Sequence, residues 1–103
     1  MTVERAALPG RWVHAHEEDE AGAQVYRPDS YPLPPARGRR SLELREDGSA
    51  VERGPGPDDR PVESSSSWEL REDELVLRGE RGLEVMRIVS AAEDRLVLRP
   101  EAL

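Results

Sequence analysis

The chain of 103 residues contains no cysteine, lysine, asparagine or phenylalanine, and only one threonine and one isoleucine. The lack of cysteine excludes disulfides, thiolate chemistry and cysteine metal sites, and leaves the redox compartment unreadable. Because lysine is absent, every basic side chain apart from the two histidines is arginine. Arginine, alanine, glycine and proline share GC-rich codons, so this bias is discounted as a sign of phosphate binding. The formal net charge of −7 opposes binding to nucleic acid, which requires a concentrated basic surface. No run approaches the ~18 apolar residues of a membrane span, and the first ten residues lack a basic segment followed by an apolar one. No membrane association and a cytoplasmic location are therefore expected.

With aromatics at 4%, the core must be built from leucine and valine. Charged residues make up 36% of the chain, a composition that leans towards disorder. Regular apolar alternation argues the other way. Gly10-Arg11-Trp12-Val13-His14-Ala15-His16 is the first strand-like run, with Trp12, His14 and His16 on one face. Glu17-Glu18-Asp19-Glu20 ends it in a solvated acidic loop. Gln24 to Arg27 is a short β-prone piece. Residues 28–38 then hold Pro28, Pro32, Pro34, Pro35 and Gly38, too many constrained positions for a central strand or a helix.

From residue 39 onwards the alternation is regular. Strands are expected at Arg40–Arg45, Ala50–Arg53, Glu63–Leu70, Leu75–Arg78, Leu83–Ser90 and Arg95–Arg99. Asp47-Gly48 supplies the strongest short-range hairpin signal, and residues 54–61 form a second loop stiffened by prolines. In the seventh strand Leu83 and Val85 share one face while Met86 and Ile88 share the other, so a bulge or burial on both sides is required. The pattern gives one all-β domain over residues 1–103, a small antiparallel up-and-down barrel of about eight strands.

The Gly10-Arg11-Trp12 start resembles the Gly-X-Trp signature that opens lipocalin-type barrels. The later layout is similar to small bacterial lipocalin-like (calycin-type) domains: a long Pro/Gly loop, an Asp-Gly hairpin, a second tryptophan strand at Ser67-Trp68-Glu69-Leu70, and closing hairpins from Leu75 to Arg99. The Thr-Asp-Tyr motif, the helix after the last strand and the two cysteines of secreted members are missing. The resemblance implies a barrel that binds small hydrophobic molecules. It also implies that Trp12 closes the base, with an arginine of the last strand, Arg95 or Arg99, packed across it. Trp12, Trp68, Arg95 and Arg99 are thus the structural candidates.

His14 and His16, at i and i+2 on a strand, would project about 7 Å apart from the face that carries Trp12. If Trp12 points inward they point into the lumen, where they suit a ligand headgroup. With Glu17, Glu18 or Asp19 they approach a metal set, but two histidines alone fall short of one. Partly exposed histidines bonded to nearby carboxylates are the plainer expectation, so no metal is expected. Tyr26, Tyr31, Arg37, Arg39 and Arg40 surround the proline loop and could present donors to a polar or anionic ligand beneath a lid. Alternatively, the arginines pair with surface acids and the tyrosines pack under the loop. Ser64 to Ser67 lack the turn that frames a nucleophile and read as a solvated or lumen-lining strand face. Glu72, Asp73 and Glu74 fall in a turn, where carboxylates stay hydrated.

No catalytic residue and no cofactor follow from these patterns. The first functional expectation is a small-molecule carrier or sensor taking a small apolar or anionic ligand in the lumen through His14, His16, Tyr26, Tyr31, Arg37 and Arg39. The second is a protein-binding module or inhibitor using loops 28–38 and 54–61 against a protein partner. The third is an enzyme with His14 or His16 as general base, for which no second catalytic group can be named.

Overall fold

Eight antiparallel strands close into a barrel in the computed structural model, which describes residues 3–35, 39–55, 61–79 and 82–101. The strands are β1 (Gly10–His14), β2 (Gln24–Pro28), β3 (Ser41–Leu44), β4 (Ser49–Pro55), β5 (Pro61–Arg71), β6 (Glu74–Gly79), β7 (Gly82–Ala92) and β8 (Arg95–Pro100). Among the described residues, helix is confined to 3-10 turns at Arg5–Ala7 and His16–Glu18. None of the described helices is long and apolar enough to cross a membrane.

The order round the barrel is β1-β2-β8-β7-β6-β5-β4-β3, with β3 pairing back onto β1. From β3 to β8 the chain is the expected meander. The departure from a strict up-and-down order lies at the start, where the β1–β2 hairpin is inserted between β8 and β3, so that β1 separates β2 from β3. All these pairings are antiparallel, so β2 and β3 run the same way, and the proline-rich connection must travel from one end of the barrel to the other. A wall of prolines is well suited to such a span because fixed φ and missing donors keep it from pairing with any strand.

Alternation determines which side chains fill the interior. Trp12, Tyr26, Leu42, Leu44, Ala50, Trp68, Leu75, Leu77, Met86, Ile88, Leu96 and Leu98 form one buried cluster. An eight-stranded barrel is just wide enough for side chains to fill or for one small ligand, and side chains fill the lower part of this one. β7 runs without a bulge across Val85 and Met86, where the two apolar parities meet, and its bulge lies further on, between Ile88 and Ser90. The extra residue there, Val89, is exposed, and the shift turns Ala91 towards the core after Ile88. Leu83, on the other parity, stays exposed, so one inward face suffices.

The base is closed by the N-terminal segment. Val3 and Leu8 plug it, and the Trp12 indole donates to the Leu8 carbonyl at 2.9 Å. Trp68 donates through its indole to the Arg45 carbonyl (2.7 Å) and through its backbone N–H to that of Gly48 (2.8 Å), fastening the β3–β4 turn beneath it. Gly48 adopts φ +91°, which the Asp-Gly turn needs, and the Asp47 carboxylate accepts from the backbone N–H and hydroxyl of Ser49. The expected arginine across Trp12 is not supplied by the last strand. Leu96 and Leu98 take the inward positions of β8, which turns Arg95 and Arg99 to the outer face. The guanidinium that covers a tryptophan is that of Arg5, 4.5 Å from the Trp68 ring.

Candidate functional site

At the other end of the barrel, the inward positions change character. The row runs from Tyr26 on β2 through His14 on β1 to Arg40 just before β3, with backbone bonds aligning each neighbour. It continues through Glu52 on β4, Ser64 and Ser66 on β5, Gly79 on β6 and Glu84 on β7. Parity places these residues: Glu52 lies two after buried Ala50, and Glu84 pairs with buried Leu77 and lies two before buried Met86. The mouth thus has one wall of Tyr26, His14 and Arg40, facing small residues on β5 and β6.

Arg40 is the centre of this layer. One terminal nitrogen, Nη2, donates to Glu52 at 2.5 Å and to Glu84 at 3.0 Å. Its side chain is 30% exposed, against 25% for Glu52 and 45% for Glu84. Burial works against the guanidinium charge, but interaction with Tyr26 and the hydrogen bonds to Glu84 and Glu52 hold its pKa above the usual arginine value. Tyr26 is almost wholly buried, and burial is the main reason its phenol is pushed up from the ordinary value. Its hydroxyl donates to Gln24 Oε1 at 3.1 Å. The Ser66 hydroxyl oxygen is buried with no hydrogen-bond partner among the described residues, packed where a side chain on Gly79 would come within 3.2 Å of the Ser66 Cβ. A buried hydroxyl without a partner is uncommon in a folded protein and marks a place where a polar atom would be welcome.

The two histidine rings meet edge to face, with centroids 6.2 Å apart, but not as alternate residues of one strand. The strand ends at His14, Ala15 turns with φ −97° and ψ 75° into the 3-10 turn, and His16 swings out to 53% side-chain exposure. His14 stays at the rim, its ring centroid 5.2 Å from that of Tyr26. Its Nε2 lies 2.9 and 3.0 Å from the two carboxylate oxygens of Asp19, so an Nε2–H donates to that carboxylate, which also accepts from the Val25 backbone N–H. Besides the His14 ring, His16 has Glu17 at 3.8 Å and Arg39 at 3.5 Å as polar neighbours among the described residues. Among the described residues no group of three or more histidines and carboxylates could hold a metal ion.

The remaining sequence candidates divide between the two sides of the wall. Tyr26 faces in. Tyr31 lies outside, under the Arg27 guanidinium at 4.3 Å, while Arg27 also forks onto Glu18 at 2.8 and 2.6 Å. Arg39 points away from the lumen and is taken up by structure, donating to the carbonyls of His14 and Pro34 and to both oxygens of Glu17. The hydrogen bond from Arg39 holds the Glu17 carboxyl down at about 2. Arg37 lies outside the described residues, as do 36–38 of the first expected contact loop and 56–60 of the second. The described part of the proline loop is not a lid: Leu33 packs on the outer wall against Ala15, Ala23, Val25 and Val97.

Of the residues expected to bind a ligand, His14 and Tyr26 meet at the mouth, and His16, Tyr31 and Arg39 do not join them inside. Glu52, Glu84 and Ser66 are the partners that sequence reasoning passed over. A charged residue on the parity of buried Ala50 or Met86 was the available signal. A separate cleft of about 460 Å³ lies at the base, lined by Ala6, Ala7, Pro9, Pro28, Ala91 and Trp12 among others. Only Arg11 and Glu93 bring charge to it, and the converging polar groups are all at the far end. Compared with protein-family models, with curated proteins and with solved structures, the chain matches none. The case for the site therefore rests on its own residues.

Proposed function

We propose that the protein binds or senses a small molecule held at the mouth of the barrel, as the lipocalin-like barrels that its sequence resembles do. One observation carries the reading: a layer of inward polar groups, with Arg40 caught between Glu52 and Glu84 and the Ser66 hydroxyl buried without a partner, lies over a packed apolar core. A charged layer at the inner face of a barrel is costly to a fold that could place leucine there, and functional sites are where such costs are retained. Filling of the lower interior by Trp12, Leu75, Met86 and their neighbours restricts the occupant to the upper part, and so to a small molecule or to one end of a longer one. The lipocalin-like kinship and the cytoplasmic setting expected from the sequence belong to the same proposal. The inserted β1 is the feature that departs from a simple lipocalin-like meander.

Native mass spectrometry of freshly purified protein tests the reading. A retained small molecule that is lost from Ser66→Leu, a variant that fills the mouth beside Gly79, is the expected result. A wild-type protein that retains nothing, and whose Ser66, Gly79 and Glu84 amide resonances stay put when a small-fragment mixture is added, would end the proposal.

A further inference from the structure

Resting on the reading of the mouth as a binding site, we infer that its ligand is a small organic cation bearing a primary ammonium group, received by Glu84 and Glu52 beside Arg40. Charge and hydrogen-bond capacity at the mouth both lead there. Arg40 contributes one positive charge and the two glutamates contribute two negative ones, with the Asp19 carboxylate a further neighbour of Tyr26 across the His14 rim. Among the described residues the cluster therefore has an excess of negative charge before any ligand arrives. An anion approaching Arg40 would meet carboxylates that already share its guanidinium, whereas a monocation restores balance.

Donors and acceptors are just as uneven. Two ionised carboxylates offer about eight acceptor positions, and Arg40 Nη2 fills one on each. The Ser66 oxygen adds a further acceptor with no donor facing it among the described residues. An ammonium group, with three donors and no acceptor, is the complement of such a surface. Glu84, at 45% exposure, is the carboxylate an incoming group meets first. A chain with net charge −7 also draws cations towards it over a distance, so the long-range field and the local site favour the same sign.

The test uses the full chain and three probes of equal length: butylammonium, butyrate and butanol. Each is titrated at about 0.15 M salt, an ionic strength that screens loose surface attraction, with backbone amide NMR as the readout. Butylammonium should give saturable shifts at Ser66, Gly79 and Glu84, while butyrate and butanol should not. Glu84→Gln, which keeps the side-chain shape and removes the charge, should weaken butylammonium binding at least tenfold, and Glu52→Gln should weaken it in the same direction. Glu69→Gln, an exposed acid on the outer wall, should leave it unchanged. Binding of butyrate or butanol at those amides without butylammonium would overturn the cation and leave the mouth site standing. Butylammonium shifts confined to outer-wall acids, or binding indifferent to Glu84→Gln and Glu52→Gln, would likewise overturn it. Silence from all three probes would remove both the cation and the site.

Discussion

The two ends of this barrel are built by opposite rules. At the base, large apolar side chains and two tryptophans meet a plug made by Val3 and Leu8, and each indole N–H has a backbone carbonyl to satisfy it. At the mouth, the same inward parity carries Arg40, Glu52, Glu84 and Ser66, one of them with a buried oxygen unsatisfied. The base is optimised for closure; the mouth gives up apolar burial for polar groups that favour neither packing nor a full set of hydrogen bonds.

The strongest test of this contrast is Trp12→Ala. Loss of a buried tryptophan and its bond to Leu8 should cost about 3–5 kcal/mol in urea unfolding. A loss under about 1 kcal/mol would show that the base is not closed by this ring. At the mouth, Arg40→Leu leaves two carboxylates facing each other without their shared cation. Because the side chains are partly solvated, the expected cost is smaller, about 1–2 kcal/mol. It should be largely recovered in the Arg40→Leu/Glu52→Leu/Glu84→Leu variant, where the polar layer becomes apolar. Failure of the triple variant to recover would mean that the layer stabilises the fold, which would weaken the case that it is kept for binding.

Acid titration separates the outer clamp from both ends. The hydrogen bond from Arg39 depresses Glu17 from 4.5 to about 2, so the clamp contributes its full stability above pH about 4.5 and loses it as the pH falls towards 2. Glu17→Gln should flatten that part of the pH–stability curve and leave the plateau above pH 5 with its shape unchanged. An unaltered acid limb would show that Glu17 is not held by Arg39 in solution. The smallest change is expected at the β5–β6 turn, where Glu72 has φ +54°, a left-handed conformation suited to glycine. Glu72→Gly should therefore stabilise the protein slightly, by less than about 1 kcal/mol, measurable as a raised urea midpoint.

Much of the barrel was legible in the chain because strand alternation is local. Leu42 and Leu44, Leu75 and Leu77, and Leu96 and Leu98 announce their faces from neighbouring positions, and Asp47-Gly48 announces its turn. The two apolar parities of β7 suggested a bulge or burial on both sides where they meet; the bulge lies further on, between Ile88 and Ser90, and Leu83 stays exposed. The site was less legible. His14 and His16 stay near each other, with ring centroids 6.2 Å apart, but not as alternate residues of one strand, which stops at His14 where Ala15 packs into the outer-wall cluster and the next residues curl into a 3-10 turn. Tyr31 and Arg39 look like lid residues only while the proline segment crosses the mouth, and Leu33 anchors it to the outer wall instead.

By itself, the sequence determined that this is a small all-β chain with a leucine and valine core, two tryptophans in it and turns where glycine and aspartate stand. These follow from the period of a strand and the φ preferences of single residues, which need no distant partner. Only the tertiary structure decided that β1 would insert between β2 and β3, and that Arg40, Glu52 and Glu84, far apart in sequence, would share one polar layer. Closure of a barrel is a long-range condition on strand order and register, and the meeting of charges across its mouth follows from that closure alone.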